Sequence, residues 1–125
     1  KGVEVSLPYG YSFNDKDGIR RYDIRVSWWK MGKTYRQCYI GPEEIRDEIP
    51  DELIKNYEEI CYSAYDKPVF LGHYWMNGEP SLLDNNISCV DYGVAARGGK
   101  LVAYRWDGER VLDCAKFVSV DRLDE

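Results

Sequence analysis

Apolar and polar residues alternate from Gly2 to Leu7, with Val3, Val5 and Leu7 set against Glu4 and Ser6, the two-residue period of a half-buried strand. Pro8 and Gly10 end it. A turn at Asn14 to Gly18 then leads into Ile19, Tyr22, Ile24, Val26 and Trp28, whose imperfect alternation predicts a hairpin. A third strand is expected over "TYRQCYIG", after a turn at Met31 to Lys33. Past residue 42 the period becomes helical. Pro50 holds a first-turn position with Asp51 and Glu52 behind it, the acidic start that a helix dipole favours. Leu53, Ile54, Tyr57, Ile60 and Cys61 recur at helical spacing, which predicts one main helix from about Pro50 to Ser63.

The remaining pattern is β again. "PVFLGH", "NISCVDYGV", "KLVAYRW" and "RVLDCAKFVSV" are apolar, β-branched and aromatic runs separated by Gly, Asn and Asp. "RGGK" and "DGE" between the later runs are hairpin signals, so an antiparallel meander is expected after one buried strand. That buried strand is "PVFL", because Val69, Phe70 and Leu71 lack alternation, as in a central strand covered on both faces. The expected fold class is therefore α+β, mostly antiparallel β with one main helix. No internal repeat or linker interrupts it, and 125 residues suit a single domain with one core, spanning 1–125.

Composition narrows the function classes. The apolar fraction of 44% fits a folded domain rather than a disordered one. With 17 basic against 22 acidic residues the net charge is −5, and the nearest approach to a basic stripe is "IRRYDIR", which an amphipathic strand edge explains equally well. A nucleic-acid polymer is thus not the expected partner. Cys38, Cys61, Cys89 and Cys114 make no C-x-x-C pair and read as small buried hydrophobes in a reducing cytoplasm. No apolar run is long enough to cross a bilayer, so no membrane association is expected. The opening "KGVEVSLP" has no initiating methionine and enters a strand at once, which suggests a piece cut from a longer protein.

Candidate chemistry centres on His73, the chain's single histidine. Gly72 lets the backbone turn or approach a neighbour closely, and His73 is the first polar side chain beyond the apolar strand, where rigid scaffolds place ligands and catalytic groups. A packing histidine capped by a carbonyl fits the same pattern, since imidazole serves many roles. Tyr74, Trp75 and Asn77 follow on a loop as candidates for a substrate wall, with Trp75 packed on a strand edge as the alternative. Arg97 and Lys100, in "ARGGK", offer positive charge to phosphate oxygens or serve solubility alone. "WWKMGKTY" reads as core plus turn.

Taken together and in order, "PVFLGHYW", "NISCVDYG" and "GGKLVAYRWDGE" resemble the C-terminal part of calcineurin-like metallophosphoesterases. The resemblance is to the branch holding the phosphoprotein phosphatases and the diadenosine tetraphosphate hydrolases. It covers about residues 67 to 120, through Gly72-His73, Asp91-Tyr92-Gly93, and Gly98-Gly99-Lys100-Leu101 with Ala103. Relatives outside that branch carry Gly-His-x-His, and Trp75 stands at the second histidine's place here. The resemblance implies one sheet of a β-sandwich, one metal-ligating residue in His73, and Tyr74, Trp75, Asn77, Asp91 and Arg97 near the substrate. Asp91 is either a partner for the second ring nitrogen of His73 or, as its position before Gly93 suggests, the former of an Asx turn.

The family's other ligands, in D-x-H, G-D-x-x-D and G-N-H-[DE], are not in this sequence. A two-metal centre is therefore not expected from this polypeptide alone; what the resemblance implies is a parent that holds two divalent ions, Mn, Fe or Zn, about 3.5–4 Å apart and hydrolyses a phosphomonoester or dinucleoside polyphosphate. The chain alone is expected to be a C-terminal fragment that holds no metal and is inactive. A different class of function also suits the composition. Four Trp and eleven Tyr would serve a non-catalytic aromatic module that binds a glycan or a partner protein.

Overall fold

A computed structural model describes residues 2–29 and 32–123. Contacts within the chain cluster in two compact units, 1–62 and 63–125, and each is described by itself. The architecture is mixed α+β, with mostly antiparallel strands and few helical residues.

In the first unit the alternating start forms β1 (Val3–Ser6). The turn after Asn14 joins β2 (Phe13–Asn14) to β3 (Arg20–Arg21), an antiparallel pair in which Phe13 faces Arg21. Asp15 builds that turn by accepting the backbone N–H groups of Asp17 and Ile19, each at 2.9 Å, and Arg21 Nε at 2.8 Å. Strand β4 (Asp23–Val26) pairs antiparallel with β1, Val3 opposite Val26 and Ser6 opposite Asp23. Its Ile24 and Val26 face a core completed by Leu7, Tyr39, Ile45, Ile49, Ile54 and Tyr57.

Two predicted elements of this unit change form. The stretch "TYRQCYIG" begins as one helical turn, α1 (Tyr35–Cys38), and only then pairs with β4 as β5 (Tyr39–Ile40). The cause is a capping box: the Thr34 hydroxyl accepts the Gln37 N–H at 3.1 Å while Gln37 Oε1 accepts the Thr34 N–H at 3.3 Å. The turn expected at Met31 to Lys33 begins outside the described residues.

The main helix from Pro50 to Ser63 is absent. Only α2 (Tyr57–Ile60) is helical there, preceded by a 3₁₀ stretch at Glu43–Glu48. Residues 50–54 send their hydrogen bonds to another segment: Pro50 O accepts from Arg36, Glu52 O from Tyr35, and Ile54 N–H donates to Lys33 O. Asn56, at φ +62°, then breaks any helical continuity into α2. Leu53 and Ile54, expected together on one apolar helical face, are separated in burial, Leu53 being exposed and Ile54 buried.

In the second unit "PVFL" contributes β6 (Val69–Leu71), and "NISCVDYGV" divides at Val90 into β7 (Ile87–Cys89) and β8 (Asp91–Tyr92). β6 and β7 run parallel, with Leu71 beside Cys89. The strand covered on both faces is β7, whose three residues are all buried. Among the described residues β6 pairs with β7 alone, and Phe70 is 39% exposed, so the predicted interior strand is an edge. Its Phe70 is covered by rings instead, packing on Tyr104 at 5.2 Å and on Trp106 at 6.2 Å.

Both expected antiparallel pairings form, β8 with β9 (Lys100–Tyr104) and β9 with β10 (Phe117–Asp121), but the second pair is joined by the long loop 105–116 rather than by a tight turn at "DGE". The first part of "RVLDCAKFVSV" is not strand, because Asp113 accepts the Ala115 N–H and starts a 3₁₀ turn at Cys114–Lys116. Cys38 and Cys89 are buried as expected, Cys61 is partly so, and Cys114 is exposed; all four are free thiols. Burial pushes the Cys38 and Cys89 thiols up.

The loop between β9 and β10 is tied by Glu109. Burial alone would raise its carboxyl, but hydrogen bonds from the Tyr104 hydroxyl, from the Glu109 and Asp107 N–H groups and from Lys116 outweigh it. Its pKa falls from 4.5 to about 2. A depressed carboxylate contributes stability that is full above 4.5, declines as pH falls, and is gone below about 2. An NMR acid titration followed at the Glu109 side-chain carboxyl carbon should therefore show one step centred near pH 2. A step centred at or above about pH 4, the range of an ordinary glutamate, would refute the tie.

Candidate functional site

The parallel pairing of β6 and β7 sets two chain exits side by side. Gly72 and His73 leave the carboxyl end of β6, Val90 and Asp91 leave that of β7, and Val90 N–H still reaches Leu71 O at 2.9 Å. Asp91 closes the gap. Its Oδ2 accepts the backbone N–H of His73 at 2.8 Å, its Oδ1 accepts that of Gly93 at 3.1 Å, and its carbonyl accepts that of Met76 at 2.8 Å. The bond to Gly93 is the Asx turn that the D-x-G sequence announces. The bond to His73 is to the main chain and not to the ring.

Backbone geometry there is unusual. Gly72, the natural residue for a left-handed turn, does not take one, and alanine's Cβ at Gly72 would meet Asp91 Cβ at an ordinary 3.6 Å. His73 (φ +77°) and Trp75 (φ +46°) take it instead. Left-handed conformations cost a non-glycine residue about 1–2 kcal/mol each, and such residues concentrate at functional sites where surrounding bonds hold them. The three bonds to Asp91 are those restraints. His73 is exposed, and its imidazole has no hydrogen-bond or ion-pair partner among the described residues.

Trp75 lies over Gly93, whose Cβ, if present, would be 3.6 Å from Trp75 Cε3. The indole remains 59% exposed and borders a pocket of about 200 Å³. Asn77, Arg97, Lys100 and the backbone of Gly93, Gly98 and Gly99 also line it. Among the described residues no carboxylate does. Lys100 is committed to Glu79 at 2.8 Å and Asp121 at 3.8 Å; its hydrogen bond to Glu79 holds the ammonium above the usual lysine range, against the lowering effect of burial. Arg97 has no such partner among the described residues.

Of the residues singled out in the sequence, Trp75, Asn77, Arg97 and Lys100 thus share one pocket, while Tyr74 and Asp91 do not line it and His73 stands two residues from its rim. Tyr92, which the sequence did not single out, forms a buried wall and accepts the Ser81 N–H through its hydroxyl at 3.0 Å. Its place in the D-Y-G triplet was the available signal.

Elsewhere, "IRRYDIR" borders an open groove of about 640 Å³ in the first unit that carries both charge signs, with Arg21 paired to Asp15 at 2.8 Å. No described helix is long and apolar enough to cross a membrane. Comparison of the chain with protein-family models, with curated proteins and with solved structures finds no match in any of the three.

Proposed function

We propose that this chain is the C-terminal portion of a metal-dependent phosphoesterase that hydrolyses a phosphomonoester or a dinucleoside polyphosphate. In it His73 is one metal ligand, and Trp75, Asn77 and Arg97 form part of the substrate wall. The observation that carries the reading is His73: an exposed imidazole at the end of a parallel strand pair, held at φ +77° by the Asp91 carboxylate. A packing histidine would be buried with a partner on its ring.

The donors present fit such a centre in one position. Neutral imidazole suits Mn, Fe or Zn, but among the described residues no three His, Cys, Asp or Glu side chains converge on one point. The other ligands belong elsewhere in the full-length polypeptide. Two ions bound there would polarise phosphoryl oxygens and supply hydroxide near neutral pH. This chain's own contribution is to aim His73, to offer the Trp75 ring as an apolar wall, and to set the uncommitted charge of Arg97 beside it.

The second unit also has a sheet face that supports the reading. Leu101 and Val120 face each other across β9 and β10, as do Ala103 and Val118, and all four are exposed. An apolar face of this kind suits one layer of a sandwich. The free thiols accord with a cytoplasmic location as part of the same proposal.

The test is hydrolysis of p-nitrophenyl phosphate with added Mn²⁺. The full-length protein should turn over and lose activity with EDTA, while the 125-residue chain stays at background. An inactive full-length protein would sink the reading, and robust EDTA-sensitive turnover by the chain alone would sink its fragment argument.

A further inference from the structure

The geometry points to Asp91 as a positioning residue that aims His73 through the backbone, rather than through the ring. The inference rests on the reading of His73 as a metal ligand. Both carboxylate oxygens are engaged, one on the His73 N–H at 2.8 Å and one on the Gly93 N–H at 3.1 Å, and the Asp91 carbonyl holds Met76 N–H at 2.8 Å. The segment from His73 to Met76 is thereby fastened at both ends to one residue. Within it lie His73 and Trp75, the two non-glycine residues with left-handed φ among the described residues of the second unit.

A residue's φ sets the direction in which its Cβ leaves the chain, so the bond that holds His73 at +77° sets the side from which its imidazole departs and the arc its rotamers sweep. The bond to Gly93 sets the floor on which Trp75 lies. One carboxylate therefore fixes the ligand and the pocket rim together. Without it, His73 is free to relax to negative φ, which turns the imidazole away from any ion it shares with other ligands.

Two variants test this. Asp91→Ala removes both acceptors; Asp91→Asn keeps the shape and one acceptor oxygen, so it reports even if the alanine variant folds poorly. In the 125-residue chain, amide hydrogen exchange at His73 and Gly93 should accelerate at least about tenfold in Asp91→Ala and at one of the two sites in Asp91→Asn. In the full-length protein, apparent Mn²⁺ affinity should fall about 10- to 100-fold in Asp91→Ala and less in Asp91→Asn, with excess Mn²⁺ restoring kcat. Unchanged exchange at both amides overturns the proposal. So does a full-length Asp91→Ala protein with wild-type Mn²⁺ affinity when His73→Ala has lost it. Mn²⁺ affinity indifferent to both His73→Ala and Asp91→Ala defeats the phosphoesterase reading and this role with it. That result is told apart from failure of the clamp by the amide exchange of the chain.

Discussion

His73→Ala in the full-length protein is expected to lose one metal ion and to cut phosphoester hydrolysis by more than about 100-fold, with folding stability changed by less than about 1 kcal/mol. The size follows from the role. Loss of a hydrogen-bonded neighbour of a metal ligand typically costs about 10- to 100-fold, and loss of the ligand itself should exceed that. The small change in stability follows from the structure, because the imidazole is exposed and has no polar partner among the described residues. A packing histidine predicts the opposite pair of results: metals and kcat within about threefold of wild type, and about 1–3 kcal/mol of stability lost from an orphaned partner. Metal content by elemental analysis, kcat with excess Mn²⁺ and thermal unfolding on one variant separate the two.

Gly99→Ala is expected to destabilise the second unit by about 3 kcal/mol, near the upper end of what overpacking costs. The hairpin loop consists of two successive turns, in which Ala96 N–H reaches Gly93 O at 2.8 Å and Gly99 N–H reaches Ala96 O at 3.0 Å. A Cβ on Gly99 would fall on the Gly93 carbonyl, and also 3.0 Å from Ala96 O. These are backbone atoms, so relief means opening the turns that floor the pocket. Gly98→Ala is the control. Its Cβ would meet nothing within 4 Å, and it pays only for φ +76°, about 1 kcal/mol. Urea midpoints should rank wild type above Gly98→Ala above Gly99→Ala; a reversed order of the two variants would contradict the steric account.

The regular β pattern was legible where side chains alone decide it. β1 alternates because one face is partly buried against the core, and the Gly- and Asp-rich loops before β9 and β10 require backbone shapes few residues adopt. The helix at Pro50 to Ser63 was not legible, since its spacing of Leu53, Ile54, Tyr57, Ile60 and Cys61 is helical while its backbone is committed to residues 33–36. That commitment is tertiary, and periodicity does not record it. "PVFL" misled for a related reason: its Phe70 meets aromatic rings from β9 and the following loop rather than a neighbouring strand on each side.

At the site, the place of His73 beyond an apolar strand and the Asx turn of Asp91 were readable from Gly-His and D-x-G. Of the residues expected near the substrate, Trp75, Asn77 and Arg97 line one pocket, while Tyr74 and Asp91 do not. The left-handed backbone at His73 was not readable, because Gly72 beside it is the residue that sequence logic would choose for that conformation. Only the long-range bond from Asp91, eighteen residues on, explains the transfer.

The claim that His73 is a metal ligand is tested most directly by manganese anomalous scattering from crystals of the full-length protein grown with Mn²⁺. The account predicts an anomalous peak about 2 Å from an imidazole nitrogen of His73, with Asp91 still bonded to the His73 N–H. Manganese peaks elsewhere in the protein, with the His73 ring more than about 4 Å from any of them and packed against protein groups instead, would contradict it.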